Sequence, residues 1–471
     1  MTVHLTRKTF FIACFFVSTR LGAVDVKVSS LDSLQSAVSN AVPGTRIVVA
    51  NGVYTTTNAI RVNCRGNARQ PIIITPETLG GAEITGGRGF ALAKPAAYVT
   101  IEGFRFTHGT GIEDAGGGEI IEAGADHCRF TRNVFELSGK GRGYYLMISG
   151  DDTEIDHNAF QNKFTVGQMI IIHGPGTKQM AQRTWIHQNI FTNFPDTHQN
   201  NCSAIQIGVS GRSLSSAHSL VENNLFLRCR GENENICSKS CDNIYRFNTF
   251  GEDCSELSLR HGDRNLVYAN FFLGSDGLRI FGKNDRIFGN YFQDCRRGIH
   301  IGNGDGVVPM DKLTSHDRPD GTQIVFNTIV DCKNSVMMQA RPRNGLGATN
   351  ITFADNIIAG EGRLISIDGP MTHSTWRGNI LWSGTNDLGS LPPGTFTVVD
   401  PRMERDPNGI YHLTKSSPAL CEGGVLHFRF ANIDIDGQRR GWRRDVGADE
   451  FSVKTAANRV LTPADVGPWA R

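Results

Sequence analysis

The sequence predicts an all-β fold, a right-handed parallel β-helix closed at one end by an N-terminal capping helix, on three observations. An Asn-x-Phe signature recurs at Asn133, Asn158, Asn189, Asn224, Asn248, Asn270 and Asn290, then weakens to NTI, NII and NIL at Asn327, Asn356 and Asn379. Its intervals run from 20 to 37 residues, the spacing of a solenoid whose units stack on their neighbours. The units, such as RTWIHQNIFTNF and RNLVYANFFLG, are short, β-branched and aromatic, and are cut by Gly, Asn and Asp, which favours strands over helices.

Within each coil the Asn marks a tight turn and is expected to stack in a ladder, while the Phe fills the same core position coil after coil. No leucine consensus recurs, which disfavours a leucine-rich horseshoe. Before the first coil, LDSLQSAVSNA reads as an amphipathic helix from Ser30 to about Ala41, followed by a Pro-Gly turn and a first strand. Such a helix covers the open end of the sheet. Repeat coils are predicted over residues 45–385 and a closing segment over 386–471, all within one domain of residues 24–471. Length alone would suggest several domains, but a solenoid core grows by stacking.

Residues 1–23 carry Arg7 and Lys8, the apolar run TFFIACFFV and a small-residue end at Gly22 and Ala23, the pattern of a signal peptide. The expected location is therefore secreted or periplasmic. Without that segment the chain has 45 basic and 46 acidic residues. Such a balance argues against nucleic acid as a partner and leaves any attraction for a polyanion to a local groove. No later stretch of 18 apolar residues predicts a membrane anchor. Cys229, Cys295 and Cys332 each fall five residues after a repeat Asn and are expected as buried, stacked thiols. Cys237 and Cys241 are close enough in sequence for a disulfide to be tested.

The chemistry concentrates in GENENICSKSCDNIYRFNTFGEDCSELSLRHG. Residues i and i+2 of a strand share a face, so Glu232 and Glu234 are expected side by side, and two such carboxylates repel unless a hard cation lies between them. Lys239 follows, and Arg260 lies 21 residues later, close to one local repeat, which would bring the two together on adjacent coils. The preceding coil would add the amide oxygens of Asn200 or Asn201. Taken alone, an ExE pair is usually a solvated strand face and a lone lysine usually a surface lysine.

The segments GENENICSKSCDNIYRFNTF and LSLRHGDRNLVYANFFLG together resemble polysaccharide lyase family 6, the β-helix family of alginate lyases and chondroitinase B. The resemblance extends over nearly the whole chain. It implies Ca²⁺ held by Glu232, Glu234 and Asn200, with Lys239 as base and Arg260 as the group assisting the leaving oxygen. It also implies substrate contacts at His261, Arg279 and Gln206. Where the family has an arginine in its IRIG strand this chain has Gln206, and Arg279 in DGLRIFG matches its GGIRI strand in part.

The reaction so implied is β-elimination on a 1,4-linked hexuronate, with alginate as the favoured acidic polysaccharide. Dermatan sulfate is the alternative, RPRNG at 341–345 and CRRG at 295–298 being its candidate sulfate contacts. A non-catalytic glycan-binding β-helix is the reading from a different class. Asp151 and Asp152 could pair as hydrolase carboxylates but read better as a turn. GNGDG at 302–306 lacks a following helix pattern and reads as a long loop near the cleft.

Overall fold

The structure is a computed structural model that describes residues 24–109, 117–138, 143–343, 345–385, 387–424 and 428–470. The expected leader, residues 1–23, lies outside them. Three long parallel sheets of 14, 12 and 14 strands run the length of the molecule, and each coil contributes one strand to each sheet in turn. Only one α-helix occurs among the described residues, so the chain is a parallel β-helix. The core is one continuous column of Ile, Val, Leu and Phe side chains between the sheets.

The repeat signature is the joint between two sheets. At every coil from Asn133 to Asn356 the Asn backbone N–H donates to the Oδ1 of the next Asn in the series at 2.8–3.1 Å. Its Nδ2 donates to that same oxygen and to a backbone carbonyl, as in Asn248 to Asn270 and Val221. All ten Asn side chains are buried. The sharp bend is made by the residue before each Asn, not by the Asn itself. Arg132, His157, Gln188, Asn223, Phe247, Ala269, Phe326 and Asp355 have φ of 51–56°, with Gly289 and Gly378 taking the role at their coils. A left-handed backbone at a non-glycine residue is unfavourable, and the Asn ladder holds it in place.

Beside the ladder, Phe135, Phe160, Phe191, Phe226, Phe250, Phe272 and Phe292 form a continuous stack. Their ring centroids are 4.5–5.0 Å apart and their planes within 10°. That spacing is the distance between neighbouring strands.

The capping helix spans Leu31–Ser39, a little shorter than expected, with Ser30 as N-cap in a capping box with Ser33 and with Leu34 and Val38 turned into the core. A strand not anticipated, Val24–Val28, precedes it and pairs with Thr45–Val49. At the other end, Phe396–Val398 adds the last strand of the third sheet. The closing segment then folds onto the outer face of that sheet, burying Ile410, Leu413, Ala419, Ile435 and Val446 against Tyr291, Val330 and Ile357. It returns along the solenoid, the Asn458 side chain bonding to Ala269, Leu461 to Thr249, Gly467 to Gln188, and Arg132 to Ala470. The ten described cysteines are free thiols, nine of them buried, Cys229, Cys295 and Cys332 among them; Cys237 and Cys241 are unlinked.

Candidate active site

The outer face of the 12-stranded sheet carries the residues singled out from the sequence. Its central strands are Ile205–Ile207, Glu234–Lys239, Glu256–His261, Leu278–Ile280 and Ile299–Ile301, paired side by side in parallel. Ile205 and Ile207, Leu257 and Leu259, and their counterparts point into the core. Period-two alternation therefore sends Gln206, Cys237, Ser258, Arg279 and His300 outward as one in-register row.

Two register shifts break this regularity between the second and third of these strands. Glu234 pairs with Glu256 and Ile236 with Leu257, so Asn235 is the extra residue on one strand. Ser238 pairs with Leu259 and Lys239 with His261, so Arg260 is the extra residue on the other. Bulges of this kind re-aim side chains, and here they place Lys239, Arg260 and His261 at one edge of the row.

Carboxylates and guanidinium groups alternate across the floor. Arg279 bridges Glu234 through its NH2 and Glu256 through its Nε, the latter at 2.9 Å, and also donates to Ser258 Oγ. Arg260 Nε lies 3.7 Å from Glu234, and Arg297 reaches Glu256 at 3.7 Å. Burial would push the Glu234 carboxyl up, but Arg279, assisted by Lys239 and Arg260, holds it below the usual carboxylate range. Burial pushes the fully enclosed Glu256 up to about 7 despite its two arginines.

Glu232 stands apart from the arginines. Its two oxygens accept backbone N–H groups from Asn201 and Cys202 of the preceding coil, each at 3.0 Å. Burial, and then the charge of Glu234, raise its pKa against the lowering effect of those two N–H groups and of Lys239. Asn200 is exposed on the same preceding-coil segment, and Asn201 has a φ of 66°. By donor type, Glu232, Glu234 and the Asn200 amide are hard-oxygen groups of the kind Ca²⁺ takes. Arg279 is their competitor for Glu234. Among the described residues, the three-membered groups of His, Cys, Asp or Glu close enough to share an ion lie elsewhere, at Glu154, Asp156 and His187 and at His412, Asp436 and Asp449.

Lys239 is half-buried at the cleft edge, and among the described residues its Nζ takes part in neither a hydrogen bond nor an ion pair. His261 is buried, with Nε2 within 3.2 Å of Ser210 Oγ and 3.4 Å of Arg260 NH1. Burial, Arg260 and Lys239 push it down to about 3, so at neutral pH it is an uncharged imidazole. Gln206 is on the floor row, but its amide is engaged by Gln168 at 2.6 Å and by the Gly208 carbonyl at 2.9 Å. Asp152 lies in a turn with φ 53° and pairs with Arg183. The 302–306 segment begins a long loop at the cleft edge, where Asp305 pairs with Arg341 and with His316 at 3.3 Å.

Sequence reasoning missed Glu256 and His300, and took Arg297 only as part of a candidate sulfate contact in CRRG. The row Cys237, Ser258, Arg279, His300 advances by 21 residues at each step, so extending the count from Arg279 by one coil would have found His300. Burial, then Arg297 and Arg279, push His300 down to about 3. Its folded pKa is thus below its unfolded value of about 6.5. Between those two values the unfolded chain binds the extra proton, so the histidine's contribution to stability falls as pH is lowered through that window. A His300→Gln variant should accordingly lose its stability deficit relative to the parent between pH 7 and about pH 4, measured by denaturant unfolding at each pH.

A family model described as chondroitinase B matches residues 28–357. No curated protein sequence matches. Among solved structures, the chain is similar to the alginate lyase AlyGC of polysaccharide lyase family 6, at 24% identity and a TM-score of 0.78, covering 95% of this chain and 59% of that one. It therefore spans about three-fifths of the AlyGC chain's length. A family 6 alginate lyase solved with a trisaccharide aligns over 96% of both chains at 21% identity and a TM-score of 0.72. A mannuronic acid specific family 6 lyase from human gut microbiota aligns over 80% of this chain and 92% of its own, at 24% identity and a TM-score of 0.69.

Proposed function

Because the chain belongs to the chondroitinase B family, polysaccharide lyase family 6, we propose that it is an exported lyase that cleaves alginate by β-elimination. The observation that carries this reading is the cross-coil pairing of Lys239 with His261 beside Arg260, on the same face as Glu232 and Glu234. It supports a cleft in which an unpaired amine, a half-buried guanidinium and two carboxylates meet around a single sugar.

In the elimination, Lys239 Nζ in its neutral form removes the C5 proton of the hexuronate, the electron pair forms the C4–C5 double bond, and the C4–O4 bond breaks. Arg260 donates a hydrogen bond to the departing O4, which takes its proton from solvent water while Lys239 returns the C5 proton to solvent, in a site whose burial strengthens the Arg260 interaction. His261, uncharged and held by Ser210, keeps the Arg260 side chain oriented along the cleft edge. Arg279 binds a substrate carboxylate from the floor, and Gln206 contributes packing beneath the sugar.

Glu232, Glu234 and Asn200 would hold Ca²⁺. When bound, the ion supplies Lewis acidity next to the uronate carboxylate, which otherwise resists taking further negative charge at C5. Because Glu256 also pairs with Arg279, it would keep that side chain in the cleft were Glu234 to bind a cation.

Of the four arginines expected to mark a sulfated substrate, Arg296 pairs with Asp276, Arg297 with Glu256 and Arg341 with Asp305, while Arg343 is exposed. Incubation with alginate and Ca²⁺ should produce a steady rise in the ultraviolet absorbance of the unsaturated uronate, abolished by a chelator and restored by Ca²⁺. Dermatan sulfate should give little. A polymer that binds without any unsaturated product would leave a glycan-binding protein and sink the lyase reading.

A further inference from the structure

A second cluster of metal-ligating side chains lies far from the cleft sheet, in the closing segment. His412 is on the short strand Tyr411–Leu413, Asp436 in the turn of DIDGQ, and Asp449 in DVGADE, three segments that meet only in the folded state. His412 Nδ1 is 3.6 Å from Asp449 Oδ2 and 3.9 Å from Asp436 Oδ2. These separations are too long for hydrogen bonds. They approach the edge of a coordination tetrahedron, about 3.4 Å for ligands about 2.1 Å from a zinc-sized ion.

Three further observations point the same way. The Asp449 side chain is 8% exposed, and its only described hydrogen-bond donor, the Leu413 backbone N–H, occupies Oδ2, leaving Oδ1 without one. Among the described residues no hydrogen bond is donated to either oxygen of Asp436. On the far side of the imidazole, Asp406 Oδ2 faces Nε2 at 3.9 Å, and Asp406 is itself fixed by the Asn408 and Ile410 backbone N–H groups. All four groups line one cavity of about 370 Å³, which leaves room for water at an open coordination position.

We propose that His412 Nδ1, Asp436 and Asp449 form a binding site for a divalent ion of the zinc class. One nitrogen with carboxylate oxygens suits such an ion better than Ca²⁺. The site staples three segments that carry almost no regular secondary structure onto the third sheet. Glu154, Asp156 and His187 differ, because Arg129 already occupies both oxygens of Asp156.

The test uses the full chain, stripped with a chelator and titrated with Zn²⁺ by calorimetry, and with Co²⁺ by visible absorption. One equivalent should bind in a site with a nitrogen ligand, and the melting temperature should rise. Asp436→Asn, a nearly isosteric change at a partly exposed position, and His412→Gln should each weaken that equivalent about tenfold or more. Glu232→Gln should leave it in place, which separates this site from the cleft. Unchanged affinity in both closing-segment variants would overturn the proposal. So would a failure of the parent to bind Zn²⁺ while NMR shows His412 as an imidazolium fastened by its carboxylates at neutral pH.

Discussion

Replacing Lys239 with alanine should lower kcat on alginate by about two to four orders of magnitude, the range lost when a positioned general base is removed. The change should fall on kcat much more than on KM, because a base acts on the proton in flight and contributes little to holding the polymer. Lys239→Arg is the sharper variant. Arginine keeps the charge and the reach but is not deprotonated near neutral pH, so it should be as inactive as alanine. A Lys239→Arg enzyme retaining even a tenth of the parent rate would mean that the side chain acts through its charge, and would remove it as the base. Because Lys239 Nζ has no described protein partner, neither variant should move the denaturation midpoint appreciably.

The second large effect concerns the ladder. Asn248→Ala should destabilise the solenoid by about 3–5 kcal/mol, judged from denaturant midpoints with the slope checked for cooperativity. The Asn248 side chain accepts from the N–H and the side-chain amide of Asn224, and donates to Asn270 Oδ1 and to the Val221 and Arg246 carbonyls. It has no exposed surface. Truncation therefore leaves several buried donors and acceptors unpaired at once, and it releases the left-handed Phe247 that the ladder holds. The exposed Asn432→Ala should stay within about 0.5 kcal/mol. Equal effects at the two positions would mean that the ladder is decoration on a fold held by its Phe stack alone.

The Asn residues and the Phe stack were legible from periodicity because a solenoid repeats the same environment, and each coil therefore selects the same residue types at the same places. The role of the Asn was only partly legible. Its amide supplies hydrogen bonds between coils, while the bend belongs to the preceding residue, which is Arg, His, Phe or Ala as readily as Gly. No local preference marks such a residue, because the compensation comes from the next coil.

Of the candidate site, the residue types and the approximate coil spacing of Lys239 and Arg260 could be read along the chain. Their registration could not. A simple one-coil count from Lys239 arrives at Arg260, whereas the strand pairs Lys239 with His261 and bulges at Arg260. The ionic partner Glu256 was equally hidden, since it stands in no motif and joins the site through Arg279 and Arg297.

By itself the sequence determined the class of fold, the coil-by-coil identity of its core, and the stretch of chain that holds the candidate site, because these depend on side-chain periodicity and local composition. Only the tertiary structure decided which of those side chains face one another, which carboxylate is already neutralised by an arginine, and how His412, Asp436 and Asp449 converge from separate segments. Those are properties of strand register and of charge in a buried setting, and both arise from contacts between residues that are 20 or more positions apart in the chain.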